Sequence, residues 1–271
     1  MSFIKNKFGI NLYDKSSFDY LKESGNIANT ILNQLVLNCV ENNSPEDLNK
    51  LAEDLVYKFK VKAAFLGYNN YPASVCISYN EKIVHGVPGN YKLKLGDVVS
   101  IDFGVVYKGH YSDNARTIIV GGIENEHSDL LEVTKRAFLE GLSKAYIGNT
   151  IGDIGFAIHK EILKIRTNNL NIHHGSKYKL YYKFQGHGIG MELHEEPGVP
   201  NIGFPGKGIK LEKGMCICIE PVVLYSSSNP INIMNSNTLE VHTDDKKPSS
   251  HHENQIYISE DGPIIISQNF N

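Results

Sequence analysis

The chain has no tryptophan and only four cysteines, Cys39, Cys76, Cys216 and Cys218, none of them in CxxC or CxxCH spacing. That pattern carries neither a redox nor a haem motif and predicts a reduced, cytoplasmic protein. Long apolar runs are missing too. Ile31 to Val40, the most apolar helical stretch, is broken by Asn33 and Asn38, well short of the roughly 18 residues of a membrane span. No N-terminal apolar run reads as a signal peptide, so no membrane is expected as a partner. The 27 Lys+Arg against 30 Asp+Glu leave a net charge of −3, and the bases are scattered rather than gathered into a stripe, which argues against sequence-specific nucleic acid. Disorder is excluded by 41% hydrophobic residues, and 271 residues predict a single domain over 1–271, with halves of about 1–120 and 121–271 around a shared core. What stands out is 11 His beside the 30 acidic residues.

Apolar spacing at Leu21, Ala28, Ile31 and Leu35 after Ser16-Ser17 predicts a first helix over about 17–41. Ser44-Pro45-Glu46-Asp47 places a cap before a proline at the first helical position, and Leu48, Leu51, Leu55 and Phe59 continue a second helix. From Ala73 to Val120, short β-branched runs separated by Gly86-Val-Pro-Gly89 and Lys108-Gly109 read as strands and turns. The order then repeats. Leu131, Thr134, Phe138 and Leu142 suit a third helix, and Thr150-Ile-Gly-Asp153 caps a fourth carrying Ile154, Ile158, Ile162 and Ile165. Tyr181–Phe184, Met215–Leu224 and Gln255–Ile266 are expected to be strands, and 225–250 an exposed hairpin or loop. The expected fold is therefore α+β: two helix-helix-strand halves building a curved sheet with helices on its outer face.

Four signals carry chemistry. If Lys108-Gly109 is a two-residue hairpin turn, Asp102 faces residue 115 and Asp113 lies diagonally beside it on the same face. Two carboxylates so placed repel unless a cation bridges them or one holds a proton. Gly186-His-Gly-Ile-Gly-Met-Glu-Leu-His-Glu-Glu-Pro197 flanks a glycine-rich segment with His187 and His194, and matches neither HExxH nor GxGxxG. Glu220 interrupts the apolar run Cys216-Ile-Cys-Ile, and Glu253 precedes another, positions where a carboxylate is costly to bury without a partner. Asp102, Asp113, His187, Glu220 and Glu253 make an oxygen-rich set suited to two adjacent divalent ions rather than to a thiolate zinc site or a calcium loop.

From about residue 17 onward, the chain resembles the type I methionine aminopeptidases of the pita-bread metallopeptidase family. The resemblance rests on Gly67-Tyr-Asn-Asn-Tyr-Pro-Ala-Ser-Val-Cys-Ile-Ser78, His85-Gly-Val-Pro88, the Asp102/Asp113 hairpin, Gly186-His-Gly-Ile-Gly190, His194-Glu-Glu-Pro197, Ile219-Glu-Pro221 and Glu253. In that order and spacing they are highly specific. It implies a pita-bread fold and metal ligation by Asp102, Asp113, His187, Glu220 and Glu253, with Asp102 and Glu253 bridging two ions drawn from Co, Mn, Fe, Zn or Ni. It implies substrate contacts from His85 and His194, and a methionine pocket built by Tyr68, Tyr71 and Cys76. Cys39, Cys216 and Cys218 read as inert buried thiols. His110, His127, His159, His173, His174, His242, His251 and His252 match no family position.

The implied reaction removes an initiator methionine ahead of a small second residue. A metal-bridged hydroxide attacks the first peptide carbonyl, Glu220 acts as general base, His194 stabilises the oxyanion and His85 meets the scissile amide. N-terminal Met peptides and nascent chains are the implied partners, with transient ribosome contact and a monomeric state. Two alternatives share the fold, an X-Pro peptidase and a catalytically silent binding module; the complete ligand set argues against the second. The long insertion of type II enzymes is absent between His194 and Glu220. The chain departs from the pattern at Asn254-Gln255, where His-Thr is common, at Leu193, where an aromatic is frequent, and at Leu239, in a position usually held by tryptophan.

Overall fold

The computed structural model describes residues 3–168, 178–225, 230–235 and 238–267. Helix α1 spans Lys15–Asn38. Asp14, not Ser16 or Ser17, caps it, its Oδ1 accepting from Ser17 N–H at 3.0 Å. Ser17 is itself buried inside the first turn. The helix stops before residue 41 because Asn43 Nδ2 donates to the Asn38 carbonyl at 2.9 Å, taking up one of its terminal acceptors. Helix α2, Pro45–Phe59, starts as expected, with a reciprocal capping box between Ser44 and Asp47 and Pro45 in its first turn. Helix α3 covers Ser128–Leu142 and α4 Ile151–Asn168. The Thr150 cap is also reciprocal: Asp153 N–H donates to Thr150 Oγ1 at 3.2 Å, and Thr150 N–H to Asp153 Oδ2 at 2.8 Å.

A nine-stranded antiparallel sheet carries these helices. Its path runs Glu195–Val199, Gly186–Gly188, Cys216–Ile219, Glu253–Ser259, His110–Ile119, Val98–Tyr107 and Lys62–Ala63, with Gly262–Ile265 and Cys76–Tyr79 as branches. Lys108 and Gly109 form the two-residue turn, both at positive φ, so that Tyr107 pairs with His110 and Asp102 with Ala115.

Side chains alternate along a strand, and this period of two places the site. Val99, Ile101, Phe103 and Val105 pack with Ile31, Leu32 and Leu35 of α1 and Leu48 of α2 in one core. Ile217, Ile219, Ile256 and Ile258 pack with Phe138 of α3 and Ile154 and Ile158 of α4 in a second. Each fully buried side chain of this size contributes about 1.5–3 kcal/mol, so these faces fix the register. The intervening positions, including Asp102, Cys218 and Glu253, are turned to the opposite, concave face.

Three strand expectations need correction. Tyr181–Phe184 is not a strand: the strand is Lys179–Leu180, one further backbone bond runs from Tyr181 N–H to the Val222 carbonyl at 2.8 Å, and the chain then bends so that Lys183 and Phe184 line a cavity. Met215–Leu224 splits into Cys216–Ile219 and Val222–Leu224, because Pro221 has no N–H to offer a ladder. The 225–250 segment does hold a hairpin, Pro230–Asn235 with Thr238–Thr243, but its second strand pairs with Lys82–Val84 and buries Glu240 and Val241. Glu240 accepts from Lys82 Nζ at 3.0 Å and Val87 N–H at 2.7 Å, so a polar sequence there reflects an internal ion pair rather than exposure. A short hairpin, Phe3–Lys5 with Asn11–Tyr13, had no signal in the sequence reading.

Candidate active site

Asp102, Asp113, His187 and Glu253 from four strands, and Glu220 from the residue after a fifth, converge on one cavity of about 550 Å³ on the concave face. Tyr68, Tyr71, Cys76, His85 and His194 line the same cavity, joined by Phe65, Phe184, Leu193 and His251. All ten residues singled out in the sequence are thus brought together. The floor is buried, with Asp113 at 4% and Glu253 at 2% exposure, whereas Tyr68, Lys183 and His194 form an exposed rim. The side chain of Leu239 lies outside the described residues, as do His173 and His174.

The floor is electrostatically unfinished. Asp102 Oδ1, Asp113 Oδ1, Glu253 Oε1 and His251 Nε2 are buried and have no hydrogen-bond partner. Among the described residues no Lys or Arg forms an ion pair with these carboxylates. Burial, then repulsion from Asp102 and Glu220, drives the Asp113 carboxyl well above the usual range; burial, then Asp113 and Glu220, does the same to Glu253. Burial pushes Asp102 up to about 6, with His251 opposing and Glu220 adding to the shift.

His187 is set as a ligand. Its Nδ1 lies 2.9 Å from the Gly188 carbonyl, which can only accept, so Nδ1 carries a proton and Nε2 is left facing Glu220 Oε1 at 3.7 Å and Asp113 Oδ2 at 4.0 Å. The donor set, orphaned carboxylate oxygens beside an imidazole nitrogen, fits divalent metal. Cys218 Sγ also lies near the His187 and Glu253 donor atoms, but burial and then the surrounding carboxylates push its thiol far up, consistent with the inert reading.

At the rim, His194 Nδ1 is 2.7 Å from Tyr68 Oη. Burial raises the Tyr68 phenol pKa, so it stays protonated and can donate, leaving His194 to present Nε2–H to the cavity. Burial, then the neighbouring His187, pulls His194 down to about 4, so the ring is neutral near pH 7. His85 occupies a left-handed backbone position at φ 59, its ring edge-on to Phe184 at 4.9 Å.

The sequence reading missed His251. Its ring is buried, with Nε2 3.5 Å from Glu220 Oε2 and 3.7 Å from Glu253 Oε2. Burial would lower its pKa, but Glu220 and Asp102 outweigh that and raise it. The available signal was its place two residues before Glu253 in an extended stretch, the spacing that returns a side chain to the same side, although the structure divides that stretch into the strands Ser249–His251 and Glu253–Ser259. Tyr13 was missed as well: its hydroxyl donates to Glu195 at 2.7 Å, and its ring packs so closely on Gly190 that a Cβ there would lie 2.2 Å from it. The departure at Asn254 has a local account, since Asn254 Oδ1 accepts from Arg116 Nη2 at 3.0 Å and its Nδ2 donates to the Ser267 carbonyl at 3.0 Å.

The profile of metallopeptidase family M24 matches residues 19–260. This chain belongs to metallopeptidase family M24. The methionine aminopeptidase of Clostridium perfringens is 37% identical to this M24 chain over 256 residues, spanning 94% of it and 98% of that protein. The crystal structure of the Thermotoga maritima methionine aminopeptidase superposes with a TM-score of 0.87 at 31% identity, covering 96% of this chain and all (100%) of that one. The expected α+β pita-bread architecture is thereby established. A prolidase from Pyrococcus furiosus shares the fold alone, at 20% identity and a TM-score of 0.68 over 66% of its length. No described helix of this M24 metallopeptidase is long and apolar enough to cross a membrane.

Gly186 shows how tightly the M24 site is built. A Cβ at this position would lie 2.1 Å from the backbone carbonyl oxygen of Cys218, so Gly186→Ala must push apart the strands carrying His187 and Glu220. Overpacking of this kind costs about 1–3 kcal/mol. Thermal denaturation is expected to show a fall of several degrees, with a proportionally larger loss of peptidase activity. An unchanged melting temperature would contradict the packing.

Proposed function

We propose that this metallopeptidase removes the N-terminal methionine from peptides and nascent chains whose second residue is small. The observation that carries the reading is a cavity with a carboxylate-lined floor and an aromatic and apolar wall of Phe65, Tyr71, Cys76 and Leu193. A flexible thioether suits a wall of aromatic faces and soft sulfur, and the carboxylate floor beside it suits the free amine of a chain end. The names of the M24 relatives support the same reading.

Asp102, Asp113, His187, Glu220 and Glu253 are the residues that would hold divalent metal, which when bound would lower the pKa of a water and polarise the scissile carbonyl. Glu220 then takes the proton from the attacking water and returns it to the departing amine. His194, neutral and fixed by Tyr68, donates from Nε2 to the oxyanion, and the left-handed turn at His85 holds its ring towards the scissile amide.

The reading is tested by incubating chelator-stripped, reloaded protein with Met-Ala-Ser, Leu-Ala-Ser and X-Pro peptides in the presence of Mn or Co. Release of free methionine from the first peptide, at a rate well above the others, is expected. Folded protein that turns over nothing with any divalent ion would sink the proposal, and faster X-Pro cleavage would replace it with the prolidase reading.

A further inference from the structure

We propose that His251 is a sixth protein ligand, giving the second metal position an imidazole of its own. The inference rests on the metal-site reading above. Nothing in the ligand set inferred from the sequence includes this residue. The donor atoms of Asp102, His251 and Glu253 all lie within 4.8 Å of one another, as do those of His187, Cys218 and Glu253. Glu253 is common to the two groups. Glu220 is shared in the same way, with Oε1 3.7 Å from His187 Nε2 and Oε2 3.5 Å from His251 Nε2. Two imidazoles therefore face the same carboxylate cluster, each toward a different oxygen of Glu220.

The distances decide between ligation and hydrogen bonding. An N–H···O bond spans about 2.7–3.2 Å. Two donors bound tetrahedrally to one ion at about 2.0–2.2 Å stand about 3.3–3.6 Å apart. The His251–Glu220 separation of 3.5 Å falls in the second range, and His251–Glu253 at 3.7 Å lies just beyond it. His251 Nε2 is buried and makes no hydrogen bond, and the atoms it faces across the cavity floor are the Glu220 and Glu253 carboxylates that would share the ion. Its backbone is pinned on both sides by Thr117, whose Oγ1 donates to the His251 carbonyl at 2.8 Å and accepts from its N–H at 2.9 Å. The imidazole is thus held where a ligand would be needed without paying for its own ordering.

Without His251, the position bounded by Asp102 and Glu253 would be all-carboxylate, a set that suits Mn and Mg. An imidazole there favours Co, Ni, Zn and Fe, so the two positions become similar in preference. The test uses protein labelled with ¹⁵N-histidine, stripped with chelator and titrated with Zn. Two imidazole nitrogens, from His187 and His251, are expected to take on the shift of a metal-ligated nitrogen as the second equivalent binds. In His251→Gln one of these signals is lost and the dissociation constant of the second ion rises at least about tenfold, more for Zn and Co than for Mn. Two bound ions with one ligated imidazole in the unaltered protein overturn the role of His251 whether or not the variant folds. Failure of the unaltered protein to bind any divalent ion overturns the metal-site reading itself.

Discussion

Glu220→Gln is expected to lower kcat for a Met-Ala-Ser peptide by about 10²–10⁴ at saturating metal. Glutamine keeps the volume and one oxygen of the side chain, but its amide nitrogen cannot accept the proton of the attacking water. The position is rigidly set: Glu220 ends the strand Cys216–Ile219, Pro221 fixes the backbone after it, and Asn201 Nδ2 donates to its carbonyl at 3.1 Å. Because Glu220 also faces both imidazoles, metal affinity should weaken, and the assay separates the effects by following kcat as metal is raised. A rate that recovers fully with added metal would show that Glu220 serves only as a ligand.

The second large effect is on stability, and its direction reverses with metal. Asp102, Asp113 and Glu253 all titrate higher in the fold than in an unfolded chain. The folded, chelated protein therefore binds more protons than its unfolded state, so this contribution is fully present below about pH 4 and is lost as pH rises through the folded values, about 6 for Asp102. Divalent metal requires the deprotonated carboxylates, so the stabilisation it brings grows across the same interval, reaching about 2.7 kcal/mol at a hundredfold excess over Kd. Asp102→Asn removes one charge from the repelling cluster. At pH 7 it is expected to melt higher than the original protein under chelation, and to gain far less from added Mn or Co. Melting curves with and without chelator at pH 4 to 7 measure both effects. A chelated variant that melts lower than the chelated original at pH 7 would contradict the repulsion.

Legibility in the sequence followed the range of the interactions. The Ser44 and Thr150 caps and the Lys108-Gly109 turn are decided within four residues, and all three were read correctly, the turn carrying with it the Asp102/Asp113 face. The start of α1 was misplaced because Asp14, Ser16 and Ser17 are all competent caps, and the burial of Ser17 that chooses among them is tertiary. Tyr181–Phe184 has strand composition, but its backbone pairing stops after Tyr181, where the chain turns to line the cavity. The candidate site was legible through charges set in apolar strands, which stand out because burial makes them costly. His251 did not stand out: Ser249, Ser250 and His252 around it are polar, so nothing in composition marked it as facing inward. Glu240 was hidden for the same reason, since its partners Lys82 and Val87 are more than 150 positions away.

The alternation along the sheet strands writes two messages on one stretch of chain. At Val99, Ile101, Phe103 and Val105 the text is architectural, and at Asp102 between them it is chemical. Because the chemical letters are destabilising when no ion holds them together, drift at those positions relaxes the sheet instead of unravelling it. A duplicated copy freed from peptidase work could shed its carboxylates one by one and gain robustness at each step. The barrier to becoming a folded, silent relative is thus low on the concave face, and only selection for turnover keeps the chemical message intact.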